Sequence, residues 1–240
     1  MGKAKKSALR LLPPDWRESI WVAASTPAWQ QSRPQLMPAL AVLWITGCRP
    51  AEIEQGIELA ASHDQLAIKI KGAKCVDAGG RERGQPTRHI GFRVDADANP
   101  ALRFLHSLAC RNTVNGTGKY TITHNKDYLY NSVVALGRSA FPKLRTRISP
   151  YCFRHQVASD LKAATSDREI TLEQAAKVMG HLSDYSIGAY GHAVHSRRGR
   201  GGRVKVPFVS TTRPIKHSPK VDRLARFKMA SAKRREHKAD

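Results

Sequence analysis

Residues 149–160 place an arginine where an anion would bind. Ser149 reads as a helix N-cap and Pro150 as the first helical residue, where a missing N–H costs nothing. Phe153, Val157 and Leu161 share an apolar face, while Tyr151 and Arg154 stand one turn apart on another, with His155 beside them. A helix start with an arginine next to it suits a phosphate. Downstream, Gly180-His181 ends a helical run, and Tyr190 follows nine positions after His181. Upstream, Arg49 and Glu52 are three apart, a spacing that lets the carboxylate steady the guanidinium. Arginines clamp phosphate oxygens through paired N–H donors, a histidine can hydrogen-bond a phosphate, and a tyrosine phenol is a covalent nucleophile. Breaking a phosphodiester needs such a nucleophile, donors for the non-bridging oxygens and a proton for the leaving oxygen.

These groups belong to separate elements. Residues 1–14 read as a basic arm ending in Pro13-Pro14, and Asp15 can cap a helix through Trp16, Ile20 and Trp21 to about Ala24. After Pro34, a helix carrying Leu36, Leu40, Leu43 and Trp44 as a core stripe stops at Gly47, and Pro50 opens another. Runs at 57–61, 66–70 and 88–94 alternate as the strands of a small antiparallel, three-stranded sheet, with turns at 62–65 and 72–85. Helices are expected at 99–111 and 126–140, with a strand-like or extended stretch at 120–123 between them. Thr171 starts a capped helix ending at Gly180, and Ser183 can cap a short last helix bearing Tyr190. The fold class is α+β, mainly α-helical.

The balance of 41 Lys+Arg against 19 Asp+Glu, net +22, points to a polyanionic partner, nucleic acid first. Residues 196–240 alone hold fifteen Lys+Arg against three Asp+Glu and read as a basic, flexible tail. A short strand at 204–209 and a basic helix at 224–235 are expected within it. Four scattered cysteines with no Cys-x-x-Cys pair indicate neither a zinc ribbon nor a disulfide frame and fit a reducing cytosol. No apolar run approaches the ~20 residues that span a bilayer. His192 and His195 have helical spacing for a metal but no third ligand nearby, and no glycine run forms a phosphate loop.

Several stretches, in order, resemble the tyrosine recombinases, the phage integrase family. Thr46-Gly47-Cys48-Arg49-Pro50-Ala51-Glu52-Ile53 is similar to the family's Thr-Gly-x-Arg-x-x-Glu motif, which ends in Ile or Leu. Tyr151-x-x-Arg154-His155 is similar to His-x-x-Arg-His, with a tyrosine in place of the first histidine. Gly180-His181 and Tyr190 complete the set, and the resemblance covers roughly residues 35–193. It implies a recombinase-type catalytic domain over residues 15–195 and a site made of Arg49, Lys71, Tyr151, Arg154, His181 and Tyr190. Lys71 enters from its Lys71-Gly72-Ala73-Lys74 setting on the hairpin, as donor to the departing sugar oxygen.

The implied reaction is DNA cleavage by Tyr190 to a 3′-phosphotyrosine and a free 5′-hydroxyl, with no metal or nucleotide cofactor. The implied partners are double-stranded DNA, three further protomers in a tetramer and an accessory DNA-binding protein, with no membrane and a cytoplasmic, nucleoid-associated location. The residues before Arg49 read as the opening helices of the catalytic domain, so a short form without a separate N-terminal clamp is expected. Two other readings use the same residues: a DNA-binding accessory or regulatory protein with little turnover, and an RNA-binding protein working through the Arg-Gly-rich tail.

Overall fold

The computed structural model of the protein describes residues 8–75, 82, 84–114, 117–196 and 208–222. In chain order the elements are α1 (Trp16–Ala24), α2 (Pro27–Ser32), α3 (Leu36–Thr46), α4 (Pro50–Glu54), β1 (Ile57–Ser62), β2 (Gln65–Lys71) and β3 (Thr87–Arg93). There follow α5 (Pro100–Cys110), β4 (Thr113–Val114), β5 (Thr117–Ile122), α6 (Lys126–Ala140), α7 (Pro150–Ser166), α8 (Leu172–Val178) and β6 (Phe208–Thr211). Single 3-10 turns at Leu9–Leu11, Asp184–Ala189 and Ala193–His195 complete the set.

The helices begin where local chemistry allows. Proline occupies the first turn of α2, α4, α5 and α7, where its fixed φ suits a helix and no N–H is missed. Asn99 and Asn125 accept hydrogen bonds from the first-turn amides of α5 and α6. Thr171 and Gln174 exchange bonds in a reciprocal box at the start of α8. Two expected caps act differently. The Asp15 side chain makes no capping bond, while Ser149 caps α7 in a box with Cys152, its amide donating to the Cys152 sulfur 3.4 Å away.

The sheet is larger than the three strands expected. Its order is β4-β5-β1-β2-β3-β6, every neighbour antiparallel, with five strands of four residues or more and the two-residue β4 at one edge. The central hairpins lie where expected and place Leu59 opposite Ile68 and Ile68 opposite Ile90. The additions come from both sides: β5, read as a strand-like or extended stretch at 120–123, pairs with β1, and β6, whose first two residues fall in the strand expected at 204–209, pairs with β3. Short, polar strands of this kind declare themselves through their partners rather than their own alternation. The expected helix at 224–235 and residues 204–207 of the expected tail strand lie outside the described residues.

One core joins sheet and helices. Every residue of α3 is buried, so this helix runs through the centre of the molecule. Trp16 stacks edge-on against Phe153 of α7 at 4.6 Å, and Trp21 meets both Trp44 and Phe104 in the same manner. Polar ties run parallel to these contacts. Trp16 Nε1 donates to Gln156 Oε1, and Arg17 pairs with Asp160 at 2.9 Å, so α1 is fixed to α7. Leu9 and Leu12, within the stretch read as an arm, are also buried in the core. No described helix is long and apolar enough to cross a membrane.

Candidate active site

The motifs converge where α3 ends, α7 begins and α8 ends. Gly47 closes α3 with φ of 60°, in the left-handed region open to glycine. A side chain here would also sit 2.9 Å from Val157 Cβ and 3.3 Å from Arg154 Cα, so only glycine lets α3 and α7 approach this closely. That approach brings the Gly47 carbonyl within 2.8 Å of Arg154 Nη1. Arg154 is 1% exposed and spends its second nitrogen on three partners: Met179 O at 2.9 Å, His181 Nε2 at 3.3 Å and Tyr190 Oη at 3.4 Å. Its guanidinium also lies 4.7 Å from the centre of the Tyr190 ring.

The second arginine is held by a carboxylate. Glu52 accepts from the Arg49 amide and from Arg49 Nη1, both at 2.8 Å, at the start of α4. Glu52 is fully buried because a third arginine faces it from β3: Arg88 Nη2 reaches Glu52 Oε2 at 2.9 Å and Arg88 is 1% exposed. Burial alone would raise the Glu52 pKa, but Arg88, Arg154 and Arg49 outweigh it and bring it down to about 2. Three guanidiniums around one carboxylate leave an excess of positive charge beside the tyrosine.

Tyr190 and His181 respond to that charge. Burial would raise the phenol, yet Arg154 and Arg49, by charge and hydrogen bonds, set it below its ordinary value near 10. Burial and then the charges of Arg154, Arg49 and Arg88 push His181 down to about 2, so its imidazole is neutral. A guanidinium only donates, so His181 Nε2 accepts from Arg154 and the proton sits on Nδ1. That buried Nδ1 has no hydrogen-bond partner among the described residues, nor has Arg154 Nε. The His181 ring stacks on Tyr190 at 5.2 Å, and the His155 ring tilts against the other neighbour space of Tyr190 at 5.4 Å. Cys48, between Gly47 and Arg49, is pushed up to about 12 by burial and then by Glu52, and stays a thiol.

The backbone around Tyr190 is fastened to α7 as well. Tyr190 lies just past the Asp184–Ala189 turn, in extended conformation, and not within a helix as expected. Lys162 Nζ donates to the Tyr190 carbonyl at 3.1 Å and to the Gly191 carbonyl at 2.6 Å. Gly191 runs so close to Ser159 Oγ and the His155 carbonyl that any Cβ would overlap them. Further on, Gln156 Nε2 donates to the His195 carbonyl and Ser196 Oγ to Asp160. One helix therefore carries Arg154 and the supports for Tyr190.

Of the six residues singled out in the sequence, Arg49, Arg154, His181 and Tyr190 come together. Tyr151 is half-buried in the first turn of α7, one turn before Arg154. Lys71 is half exposed at the end of β2, and its Nζ lies 3.6 Å from Glu58 Oε1, which Lys69 also holds at 3.1 Å. Arg88 and Lys162 went unselected in the sequence. Arg88 had a signal: it shares strand parity with Ile90 and Phe92, which places a cation on the buried face. No family model matches the chain, and no characterised protein or solved structure matches it significantly. Among the described residues, no three His, Cys, Asp or Glu are grouped to hold a metal ion.

Behind the site, the tail closes over the His181 segment. Gln85 Nε2 donates to the His181 and Arg213 carbonyls, and Lys216 N donates to the Leu182 carbonyl at 2.7 Å. His217 Nδ1 lies 2.6 Å from Asp184 Oδ2, and its pKa is raised by its hydrogen bonds to Asp222 and Asp184.

Proposed function

We propose that the protein is a DNA strand-cleaving and rejoining enzyme of the tyrosine recombinase kind, with Tyr190 as nucleophile. The observation that carries this is the Tyr190 hydroxyl held on Arg154 and Arg49 and lowered in pKa by both. In the proposed step, Tyr190 Oη forms a bond to the scissile phosphorus as the bond to the 5′ oxygen breaks. The phenol proton passes to solvent water, and the 5′ oxygen takes its proton from water. Arg49 and Arg154 stabilise charge on the non-bridging oxygens, and neutral His181 accepts from Arg154 and stacks on the Tyr190 ring, which holds both in place. Rejoining reverses these steps with a 5′-hydroxyl as attacker, and exchange between duplexes requires assembly of several protomers.

The test is incubation of the full chain with a nicked suicide duplex built from its flanking genomic DNA, followed by peptide mapping of any covalent adduct. An adduct on Tyr190 supports the reading; duplex binding without one favours a second reading, a DNA-binding regulator with little turnover. Lys71 gives that alternative its footing, because it pairs with Glu58 and not with the arginine cluster.

Arg49→Ala, at the less buried arginine, is expected to cut adduct formation by ~10²-fold or more, as loss of one transition-state donor does. A rate within severalfold of wild type would remove Arg49 from the phosphate. Lys162→Met is expected to slow the step by about 10²-fold, the cost of a nucleophile misplaced by ~1 Å, with duplex affinity unchanged. Lys162→Arg, which keeps a donor near both carbonyls, should recover much of the loss in the same single-turnover assay.

A further inference from the structure

The stretch between the acids Asp127 and Asp160 contains no Asp or Glu, yet carries Arg138, Lys143, Arg145, Arg147 and Arg154. Arg154 is in the buried cluster; the other four are exposed. In the segment joining α6 to α7, exposure alternates residue by residue: Lys143, Arg145 and Arg147 face solvent, while Leu144 and Thr146 are half-buried and Ile148 is buried. The three cations are thus the exposed residues of a connection whose intervening residues pack inward. None of them has an ion pair with a described acid.

This segment is anchored. Phe141 and Leu144 pack on the core, and Ile148 lies so close to Gly137 of α6 that a Cβ there would be 2.9 Å from the Ile148 Cβ. The Arg147 carbonyl accepts from Cys152 Sγ in the first turn of α7. The cations therefore stand on a fixed frame that leads within seven residues from Arg147 to Arg154.

We propose that Lys143, Arg145 and Arg147 form a phosphate-tracking stripe for the DNA backbone on the flank of the Tyr190 site, a role that rests on the DNA reading of that site. Cations with no ion pair to a described acid, on a preformed frame within a stretch that has no Asp or Glu of its own, suit phosphates and carry no base readout. Arginines at two of the three positions favour paired contacts with phosphate oxygens. The stripe thus assigns part of duplex affinity to the folded body, outside the basic residues 196–240.

The experiment uses the full chain with Lys143→Gln, Arg145→Gln and Arg147→Gln together. Binding to a labelled mixed-sequence duplex is followed by anisotropy across a salt series. The triple variant is expected to bind roughly 10²-fold more weakly at 0.1 M salt, and its slope of log K against log salt to flatten by about 2.7, near 0.9 per contact. The charge-keeping set Lys143→Arg, Arg145→Lys and Arg147→Lys should retain the wild-type slope; equal loss there would mean altered fold, and would overturn the stripe. If wild type binds duplex and the glutamine set keeps its slope, the stripe falls while the DNA reading of the site stands. No duplex binding by wild type would sink both. A slope change confined to a structured RNA would give the stripe to another partner and overturn the assignment.

Discussion

Tyr190→Phe is expected to abolish covalent capture of DNA while leaving duplex binding nearly intact. The substitution removes one oxygen and little else. The ring keeps its stacking on His181 and its place under the Arg154 guanidinium, because both contacts use the ring face. Arg154 loses one long hydrogen bond of 3.4 Å but retains Gly47 O and Met179 O, so its position is held. The fold cost should sit at the low end of the ~1.5–3 kcal/mol typical of bonds to charged groups. In wild type, the lowered phenol pKa sets the sign of the pH dependence: capture rises with pH as the phenol ionises and levels off below pH ~10, the ordinary tyrosine value. A suicide duplex with single-turnover sampling measures both effects. An adduct that persists with Phe at 190 would move the nucleophile elsewhere, with Tyr185, half exposed on the preceding turn and covered by Lys220, next in line.

How far the sequence went depended on whether a residue's partners were local. Gly47, the proline-led starts of α4, α5 and α7 and the alternation of β1 to β3 are short-range features, and each fell within a residue or two of its place, whereas the short proline-led α2 was not expected. Arg154 could be read as an anion ligand from its own helix start. Its burial could not, because the carbonyls that satisfy it come from α3 and from the end of α8, 107 and 25 residues away. Arg88 shows the same limit. Strand parity hints at an inward cation, but its carboxylate sits 36 residues earlier, at the start of another helix. Strand β6 joins the sheet across an even longer gap, so a four-residue run in a basic tail gave no sign of its partner. Lys162 was legible only as a helix residue, since what it holds is backbone, and backbone carbonyls leave no mark in a sequence.

Glu52→Ala is expected to be the most destabilising single change in the site, by about 3–5 kcal/mol, the cost of stripping a buried ion pair of one partner. Arg88 is 1% exposed and would face the core with no carboxylate, beside two other guanidiniums that now repel it without relief. Arg49 would lose both the side-chain contact and the amide bond that set its direction at the start of α4. Activity should fall with stability, but the pH profile separates the two. The folded-state pKa of Glu52 is depressed from 4.5 to about 2, so its contribution is fully present above pH ~4.5 and is lost as pH falls towards 2. Urea unfolding of wild type should therefore weaken across that window. Glu52→Gln, which keeps the shape and has no proton to gain, should show a flatter dependence there. The double change Glu52→Ala with Arg88→Ala should cost less than the two single changes added together, because neither charge is then left unpaired. Additive losses, or a Glu52→Ala protein within about 0.5 kcal/mol of wild type, would mean that the three arginines are held by packing and not by the carboxylate between them.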